Sequence, residues 1–346
     1  MDKHKHKHEL ELLKTFLDNL ELEHKEEFGI RDMQLQDNSP HPRPYVATDK
    51  LTDNTHTGRM KLLLAEEWSI MLGLIHICET ATTTLKNLTG PEKVAVVVAG
   101  AAPGDHFEDL SKTFGFVDFH LYDPAPRWHA SIHREDLRPA NVFIYPQKFE
   151  LETARQWKDK NVTQENGVLV YRHVIFLSDL RIADAPKPSE DQVEADMEFQ
   201  KQMTEEMNAC YSVLKFRPRF YDAKKMRTLK YFDGTIYFQG YAPPNSTETR
   251  LHVTDTKSEK EYDTLFYEKQ LFYHNQVTRN KTKRVFGPSK LSYDNSYARF
   301  VYYFLRGFLP TVSQDQRDNR NKYVRKFDHL RVRALLEEFK LLHMQS

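Results

Sequence analysis

Small residues and an acid at a set spacing give the first indication of chemistry in this sequence. The apolar run V-A-V-V-V-A, from Val94, leads directly into the loop Gly100-Ala101-Ala102-Pro103-Gly104. Its two glycines let backbone approach a ligand with no side chain between them. Asp123 lies 19 residues after Gly104, the place where doubly wound folds bind ribose hydroxyls. The pattern predicts a site for a nucleoside without a pyrophosphate, since G-x-G-x-x-G is absent; an ordinary buried strand and tight turn is the alternative.

Four charged residues stand at the ends of predicted elements. Asp179 follows the apolar run Leu169–Leu177, and acids at the carboxyl ends of parallel strands face the ligand crevice. Lys61 lies in the first turn of a predicted helix, where the dipole opposes a cation, so its place suggests a role other than stability. Val213 and Leu214 lead into Lys215, and Glu248 is the first residue of a further predicted strand. Taken singly, each of these residues is equally compatible with a surface salt bridge.

Two helices are predicted within the central part of the chain. The first runs over Met60–Cys78, because six large apolar residues recur at helical spacing and form one face. The second begins at Ser189, where S-E-D-Q has the pattern of a capping box, and extends to about Ala209. Both helices lie between apolar runs or precede one, as an alternating α/β order requires.

Strand predictions complete the central part. Val117–Tyr122 and Leu169–Leu177 are apolar runs typical of strands buried in a parallel sheet. Thr235–Gln239 and Glu248–Val253 read as an antiparallel pair, joined through the turn Pro243-Pro244-Asn245. A mostly parallel sheet with an antiparallel pair at its edge is compatible with mixed doubly wound folds.

Composition bounds the class of protein. The 346 residues are 39% hydrophobic and 29% charged, with zero formal net charge, which predicts a globular chain with a sizeable core. Charge is uneven, because residues 269–346 carry 16 Lys and Arg against 6 Asp and Glu; this suggests a polyanionic partner, or a solvated helical face. Two isolated cysteines, Cys78 and Cys210, favour a reducing compartment and exclude a cysteine zinc site. We expect a cytoplasmic protein with no metal, since neither a leader nor a membrane span is evident.

Both ends of the chain differ from its centre. Glu9–Phe28 has leucines at helical spacing, and Asp37–Thr57, rich in Pro, Asn, Asp and Thr, marks a boundary. Asn321–His343 also reads as helical. We therefore predict an N-terminal extension over residues 1–55, a core over 56–285 and a basic, mostly helical extension over 286–346.

The core resembles a known family, the cap-specific mRNA (nucleoside-2′-O-)methyltransferases of large cytoplasmic DNA viruses, which poxviruses also use as the small subunit of poly(A) polymerase. Seven short segments match in the family's order, over roughly residues 56–285. They are M-K-L-L-L-A-E from Met60, A-G-A-A-P-G-D-H from Ala99, F-L-S-D-L-R from Phe176, L-K-F-R-P-R-F from Leu214, T-E-T-R-L from Thr247, Y-E-K from Tyr267 and V-x-R-N-K from Val277. The resemblance implies a Rossmann-like α/β fold that uses S-adenosylmethionine.

The resemblance also implies a catalytic tetrad of Lys61, Asp179, Lys215 and Glu248. Methyl transfer to a ribose 2′-hydroxyl needs that hydroxyl deprotonated or its alkoxide stabilised. Lys215 is the expected base, with a pKa lowered by a neighbouring cation that we assign to Lys61. Asp179 and Glu248 would hold the ammonium groups in position. By the same resemblance, the Gly100–Gly104 loop, Asp123 and Asp179 would bind the cofactor.

A second pocket is implied for the methylated guanine of the cap. Phe220 and Asp222, shortly after Lys215, match an aromatic and an acid of that pocket, Glu268 matches a second acid, and Tyr45 is the expected opposing aromatic. N7-methylation makes guanine cationic, so stacking gains a cation–π component, and carboxylates would accept hydrogen bonds from its edge. Capped mRNA is the implied partner, and a poly(A) polymerase catalytic subunit is a second one; no membrane is expected.

Two other functions stay open from the sequence. A 2′-O-methyltransferase of ribosomal or transfer RNA would share the tetrad but would need no guanine pocket. A non-catalytic RNA-binding or poly(A) polymerase accessory subunit could retain the same fold. The intact tetrad argues against loss of activity, but not against a second role.

Overall fold

The structure is a computed structural model that describes residues 28–35, 58–81, 88, 93–158, 161–164, 167–181, 188–220, 228–285 and 290–308. The predicted helix of residues 9–28, apart from Phe28, lies outside the described residues, as does that of 321–343. The same holds for Tyr45 and Asp222. The proposed extensions at 1–55 and 286–346 therefore stay predictions. Tyr293 to Leu305, within the second of them, are described and include core residues.

Thirteen strands are present among the described residues. They are β1 (Val94–Ala99), β2 (Val117–Tyr122), β3 (Val142–Tyr145), β4 (Asn161–Gln164), β5 (Gly167–Val170), β6 (His173–Ser178), β7 (Tyr211–Phe216), β8 (Thr228–Phe232), β9 (Thr235–Tyr237), β10 (Thr249–Val253), β11 (Glu259–Asp263), β12 (Lys283–Arg284) and β13 (Lys290–Leu291). Seven of them form one sheet in the order β3-β2-β1-β6-β7-β10-β9. The remaining strands pair as β4 with β5, β8 with β11 and β12 with β13.

The main sheet is parallel from β3 to β7 and antiparallel at its other edge. β1 pairs in parallel with both β2 and β6, and β6 pairs in parallel with β7. β10 runs antiparallel to both β7 and β9. The chain therefore has a Rossmann-like α/β fold, and the predicted fold class, including the antiparallel edge pair, is confirmed.

Helices cover the sheet. They are α1 (Ile30–Met33), α2 (Gly58–Thr80), α3 (Phe107–Thr113), α4 (Ala130–His133), α5 (Leu151–Lys158), α6 (Glu190–Met207), α7 (Thr264–Gln276) and α8 (Tyr293–Phe308), with a 3₁₀ turn at Thr278–Asn280. The predicted helix at Met60–Cys78 is confirmed as α2, whose Trp68 packs edge-on against Phe304 of α8 at 5.3 Å between ring centroids. The predicted capping box is also confirmed: Ser189 and Gln192 bond reciprocally at the start of α6.

One strand prediction is wrong. Leu169–Leu177 is not a single strand, because Val170 ends β5 in a hairpin outside the main sheet and His173 begins β6. Val170 is 63% exposed, whereas every residue of β6 is buried. The amides of Arg172 and His173 both bond to the carbonyl of Lys93 at the break. An apolar run cannot reveal such a change of partner, since periodicity alone is blind to which sheet a strand joins.

The core lies on both faces of β1, all six of whose residues are buried. Alternate side chains of a strand point to opposite faces, and Val96 and Val97 accordingly belong to separate apolar clusters. The sheet order reverses at β1, which has β2 on one side and β6 on the other. In open α/β sheets the ligand crevice opens beyond the carboxyl ends of the strands at such a point. Here those ends lead into Gly100 and Asp179. No described helix is long and apolar enough to cross a membrane.

Candidate active site

The four predicted catalytic residues come from four separate elements. Lys61 lies on α2, Asp179 directly follows β6, Lys215 lies in β7, and Glu248 directly precedes β10. β7 and β10 are neighbours at the antiparallel side of the sheet. The fold brings all four side chains into one cluster next to the crevice.

Lys215 is at the centre of this cluster. Its Nζ donates to the main-chain oxygen of Asp179 at 3.0 Å, and lies 3.0 Å from Asp179 Oδ1 and 3.8 Å from Glu248 Oε2. The side chain is 12% exposed. A buried amine with a small opening to solvent can be reached by a substrate while it stays largely desolvated.

Lys61 is paired with the other acid. Its Nζ donates to Glu248 Oε1 at 2.9 Å, and Arg181 donates to Glu248 Oε2 at 3.0 Å. Glu248 is only 6% exposed. The carboxylate of Glu248, beside β10, thus links the sheet to α2 through Lys61 and to the segment after Asp179 through Arg181.

Two residues that sequence reasoning did not assign complete the cluster. Arg250 Nη2 lies 2.7 Å from Asp179 Oδ1 and 3.8 Å from Glu248 Oε1. Gln239 donates to the carboxylate of Glu248 at 3.2 Å and accepts from Arg250 Nε at 3.2 Å. Arg250 had a signal in the sequence, because residues two apart in a strand share a face and Arg250 follows Glu248 by two. Gln239 had no such signal, because only the tertiary fold brings it next to Glu248.

Burial and charge set the protonation of these groups. Burial lowers the pKa of Lys215 and, although Asp179 and Glu248 oppose this, the cations Arg250 and Arg181 lower it further. The cations that lower the pKa of Lys215 are thus Arg250 and Arg181. The sequence analysis assigned this effect to Lys61, but Lys61 pairs with Glu248. A lysine with a lowered pKa exchanges a proton more readily near neutral pH.

The acids stay ionised. Burial raises the pKa of Asp179, but Arg250 and then Lys215 outweigh it and bring the value to about 2. Burial likewise opposes ionisation of Glu248, whose pKa Lys215 and Lys61 nevertheless hold well below its usual range. Two ionised carboxylates therefore share a desolvated cluster with several cations.

The glycine loop forms the wall next to the tetrad. Gly100 has a φ of +84°, and a Cβ there would lie 2.8 Å from the carbonyl oxygen of Asp179. Gly104 has a φ of +72°, and a Cβ there would lie 2.6 Å from the side chain of Ile132. Both positions favour glycine for their conformation, and Gly100 also needs it for space, since its neighbour is backbone. The loop consequently runs against the same carbonyl to which Lys215 donates.

Asp123 is tied to this loop. Its Oδ2 accepts from the amide of Ala102 at 3.1 Å and its Oδ1 from the amide of Ala125 at 2.7 Å. Each carboxylate oxygen keeps acceptor capacity beyond these bonds. Asp123 can thus accept from ribose hydroxyls while it holds the loop. Ala101 and Pro103 lie in the same loop, and the peptide bond from Ala102 to Pro103 is cis.

A cleft of about 580 Å³ opens beside the tetrad, lined in part by Lys215, Glu248, Thr247 and Phe220. Phe220 is held by its surroundings. Its amide donates to Glu190 Oε2 at 2.9 Å, and Arg217, in a bidentate pair with Glu190, lies 4.3 Å from the ring centroid. The ring therefore already stacks on one cation of the protein.

The helix α7, which carries Glu268, packs on Phe220 through Phe272. Phe272 follows Glu268 by four residues, so both lie on one face of the helix, and Phe272 stacks with Phe220 at 6.2 Å and 15°. Phe272 is 6% exposed and acts as packing behind Phe220. Tyr45 and Asp222 lie outside the described residues. Of the four predicted cap-binding residues, the described part of the chain includes Phe220, which lines the cleft, and Glu268, which lies on the helix whose Phe272 stacks on Phe220.

No group of three or more His, Cys, Asp or Glu able to hold a metal ion occurs among the described residues. In the cluster around Lys215, the carboxylates pair with lysine and arginine side chains.

Comparison with known proteins adds two similarities. The model of the poly A polymerase regulatory subunit family matches residues 43–333. A protein of fowlpox virus (strain NVSL), named cap-specific mRNA (nucleoside-2′-O-)-methyltransferase, is 25% identical over 284 residues, covering 77% of this chain and 83% of the relative. The range that the family model matches includes every member of the cluster around Lys215.

Proposed function

We propose a methyltransferase activity for this chain, which belongs to the poly A polymerase regulatory subunit family. In this proposal, it transfers a methyl group from S-adenosylmethionine to a ribose 2′-hydroxyl. The acceptor is the first transcribed nucleotide of N7-methylguanosine-capped mRNA. The observation that carries this proposal is the environment of Lys215, a buried amine between two carboxylates and Arg250. The name of the fowlpox relative supports the same activity.

The residues around the crevice fit the methyl donor. The two glycines provide a loop where a Cβ would collide with neighbouring atoms, and Asp123 retains acceptor capacity for a ribose. Asp179 is an anion at neutral pH, which suits a positively charged sulfonium. When bound, S-adenosylmethionine supplies a methyl group that the 2′-oxygen takes as the sulfur–carbon bond breaks, leaving a thioether.

Lys215 is the group that accepts the proton of the ribose hydroxyl. In its neutral form, which burial and Arg250 favour, Nζ accepts that proton and becomes an ammonium. Asp179 and Glu248 then stabilise the ammonium, since both carboxylates lie within 4 Å of Nζ. Because Asp179 also holds Nζ through its main-chain oxygen, the amine keeps its position in both protonation states.

Phe220 and Glu268 would recognise the cap in this proposal, with Asp222 and Tyr45 as further members. A cationic base stacked on Phe220 gains the cation–π attraction that Arg217 already shows at this ring. A carboxylate at Glu268 would accept a hydrogen bond from the edge of guanine. The cleft beside Phe220 extends to Lys215 and Glu248, so one ligand can reach both places.

The test is an incubation with capped RNA and labelled S-adenosylmethionine, followed by analysis of the nucleosides. We expect label only in a 2′-O-methylated first nucleotide, and little label in the same RNA without a cap. Equal labelling of uncapped RNA or of internal nucleotides would favour a general RNA 2′-O-methyltransferase. Absence of label with every RNA would leave a non-catalytic role.

The family name supports a second role, binding to a poly(A) polymerase catalytic subunit. Co-purification with that subunit from the same source, and an effect on poly(A) tail length, would test it. Lys215→Ala should leave this effect unchanged while it removes methyl transfer, if the two roles use different surfaces.

A further inference from the structure

Glu66 and His106 have no part in the chemistry above, although both end segments that carried the family resemblance. Glu66 lies on α2, and His106 directly precedes α3, two residues after the glycine loop. His106 Nε2 lies 3.1 Å from Glu66 Oε2, and the two side chains are 2% and 11% exposed. A buried ion pair fixes the relative position of the two segments that carry it, because separating the charges would leave each of them desolvated and unpaired.

A second contact joins the same two parts of the chain. Arg59, in the first turn of α2, lies 3.6 Å from the carboxylate of Asp105. Arg59 is 44% exposed, and an exposed ion pair contributes little. Asp105 itself lies 3.6 Å from His106 Nδ1. Arg59 also donates to the carboxylate of Asp109 on α3 at 2.5 Å, and both side chains are exposed. The pair of Glu66 and His106 is thus the buried ion pair between α2 and the residues that follow the glycine loop.

His106 carries a charge in this position. Burial opposes its protonation, but the carboxylates of Glu66 and Asp105 raise the pKa of His106 to about 9. Replacing either partner of such a pair leaves the other charge buried and uncompensated. The contact therefore behaves as a unit rather than as two separate groups.

Glu66 also acts on Arg250 through its charge. Its charge contributes to the raised pKa of Arg250, after the larger effects of burial, Asp179 and Glu248. Glu66 shares the helix α2 with Lys61, which pairs with Glu248. This one carboxylate accordingly pairs with the residue after Asp105 and adds to the negative charge that acts on Arg250.

We propose that Glu66 and His106 are positioning residues, which fix the Gly100–Gly104 loop against α2 and thereby set the affinity for the nucleoside methyl donor. The inference rests on the proposed function, since it takes that loop as the donor site. It assigns the pair no contact with the donor, the cap or the reacting atoms.

The experiment measures the dissociation constants of S-adenosylmethionine and of a methylated cap analogue by calorimetry. It compares the wild type with Glu66→Gln, His106→Gln and the double variant. We expect each single change to weaken donor binding by about tenfold, and the double change to cost less than the product of both, because members of one ion-pair network are not additive. The cap analogue should bind with nearly unchanged affinity.

His120→Gln is the matched control. His120 is another fully buried histidine, on β2, but its ring nitrogens bond to the hydroxyls of Tyr145 and Tyr171 instead of to a carboxylate. Its replacement should lower the melting temperature without changing donor affinity. Equal losses of donor affinity in the His120 and His106 variants would overturn the proposal, since they would show a general effect of a damaged core.

The remaining outcomes are also decisive. If Glu66→Gln or His106→Gln folds and binds the donor with wild-type affinity, the pair has only a structural role, and the proposal is overturned. If neither variant folds, Glu66→Asp, which keeps the charge on a shorter side chain, should bind the donor more weakly than the wild type; unchanged affinity there would overturn the proposal. A wild-type protein that binds no donor at all would instead contradict the proposed function.

Discussion

Arg250 and Lys215 lie directly opposite each other in the antiparallel pair of β7 and β10. Directly opposed residues share one face of the sheet, and two like charges there are unfavourable. Asp179, 2.7 Å from Arg250 and 3.0 Å from Lys215, offsets the repulsion. The arrangement keeps a cation beside an amine whose proposed task requires it to lose a proton.

Lys215→Ala should remove methyl transfer while folding and donor binding persist. General acid–base catalysis contributes roughly 10²–10⁴-fold, so the loss should be at least about a hundredfold. Lys215→Arg should fail as well, because a guanidinium does not deprotonate usefully. Lys201→Ala, at another lysine paired with a carboxylate, is the control and should stay active. More than about a tenth of wild-type activity in Lys215→Ala would contradict a base at this position.

Arg250→Gln should move the pH dependence of kcat. Activity should rise with pH as Lys215 deprotonates, in a range below the ordinary lysine value of 10.5. Removal of the cation that lowers this pKa shifts the rise towards higher pH. Arg181→Gln should shift it less, since Arg181 is 51% exposed and more screened by solvent. A pH profile that coincides with that of the wild type in both variants would exclude this electrostatic role.

Asp123→Asn should reduce the rise in melting temperature that S-adenosylmethionine causes. A ligand that binds only the folded state stabilises it by mass action, and the amide is a poorer acceptor for ribose hydroxyls. Asp118→Asn, on the strand β2 that Asp123 directly follows and bonded to Tyr171, should keep the full shift. Thermal shifts over a range of ligand concentrations measure both, and an undiminished shift in Asp123→Asn would move the ribose site elsewhere.

Phe220→Ala should abolish most of the preference for methylated over unmethylated caps. A desolvated cation–π contact is worth roughly 2 kcal/mol, on the order of 30-fold at about 1.4 kcal/mol per decade. Donor affinity should not change. Phe143→Ala, at a half-buried ring on β3, serves as the control. Titration of both cap analogues decides the matter, and equal wild-type affinity for the two would exclude this pocket.

His106 should make the free energy of unfolding depend on pH. Its folded pKa of about 9 exceeds the ordinary 6.5, so the folded state binds more protons between these values. The contribution is fully present below pH 6.5 and is lost as pH rises through 9; it amounts to about 3 kcal/mol, at roughly 1.4 kcal/mol per pKa unit. Urea unfolding at a series of pH values across this range should show the decline in the wild type and much less of it in His106→Gln.

The sequence predicted which segments surround the site better than it predicted the contacts between their side chains. The glycine loop, the position of Asp179 after a buried strand, and the antiparallel pair all follow local patterns of glycine, apolar runs and turns. Gln239 and the pair of Glu66 with His106 do not. Those contacts join segments far apart in the chain, and their geometry depends on the order of strands in the sheet.

The surroundings of Phe220 show the same division. Phe220 and Phe272 stack because α7 packs beside the segment after β7, a tertiary relation that no spacing reveals. Phe272 and Glu190, which support Phe220, had no sequence signal. The break after Val170 has the same origin, since a choice between two sheets is made by packing.

The contact of Gly100 with the Asp179 carbonyl has a consequence for inhibition. Under the proposed function, the donor and acceptor sites meet beside this tightly packed main chain. A bisubstrate compound, with an adenosine-like half joined to a cap-like half by a short tether, would then meet the second site at a high effective concentration. Its affinity should exceed that of either half, and a bulky group on the tether should cancel the gain by colliding with the main chain of Gly100 and Asp179.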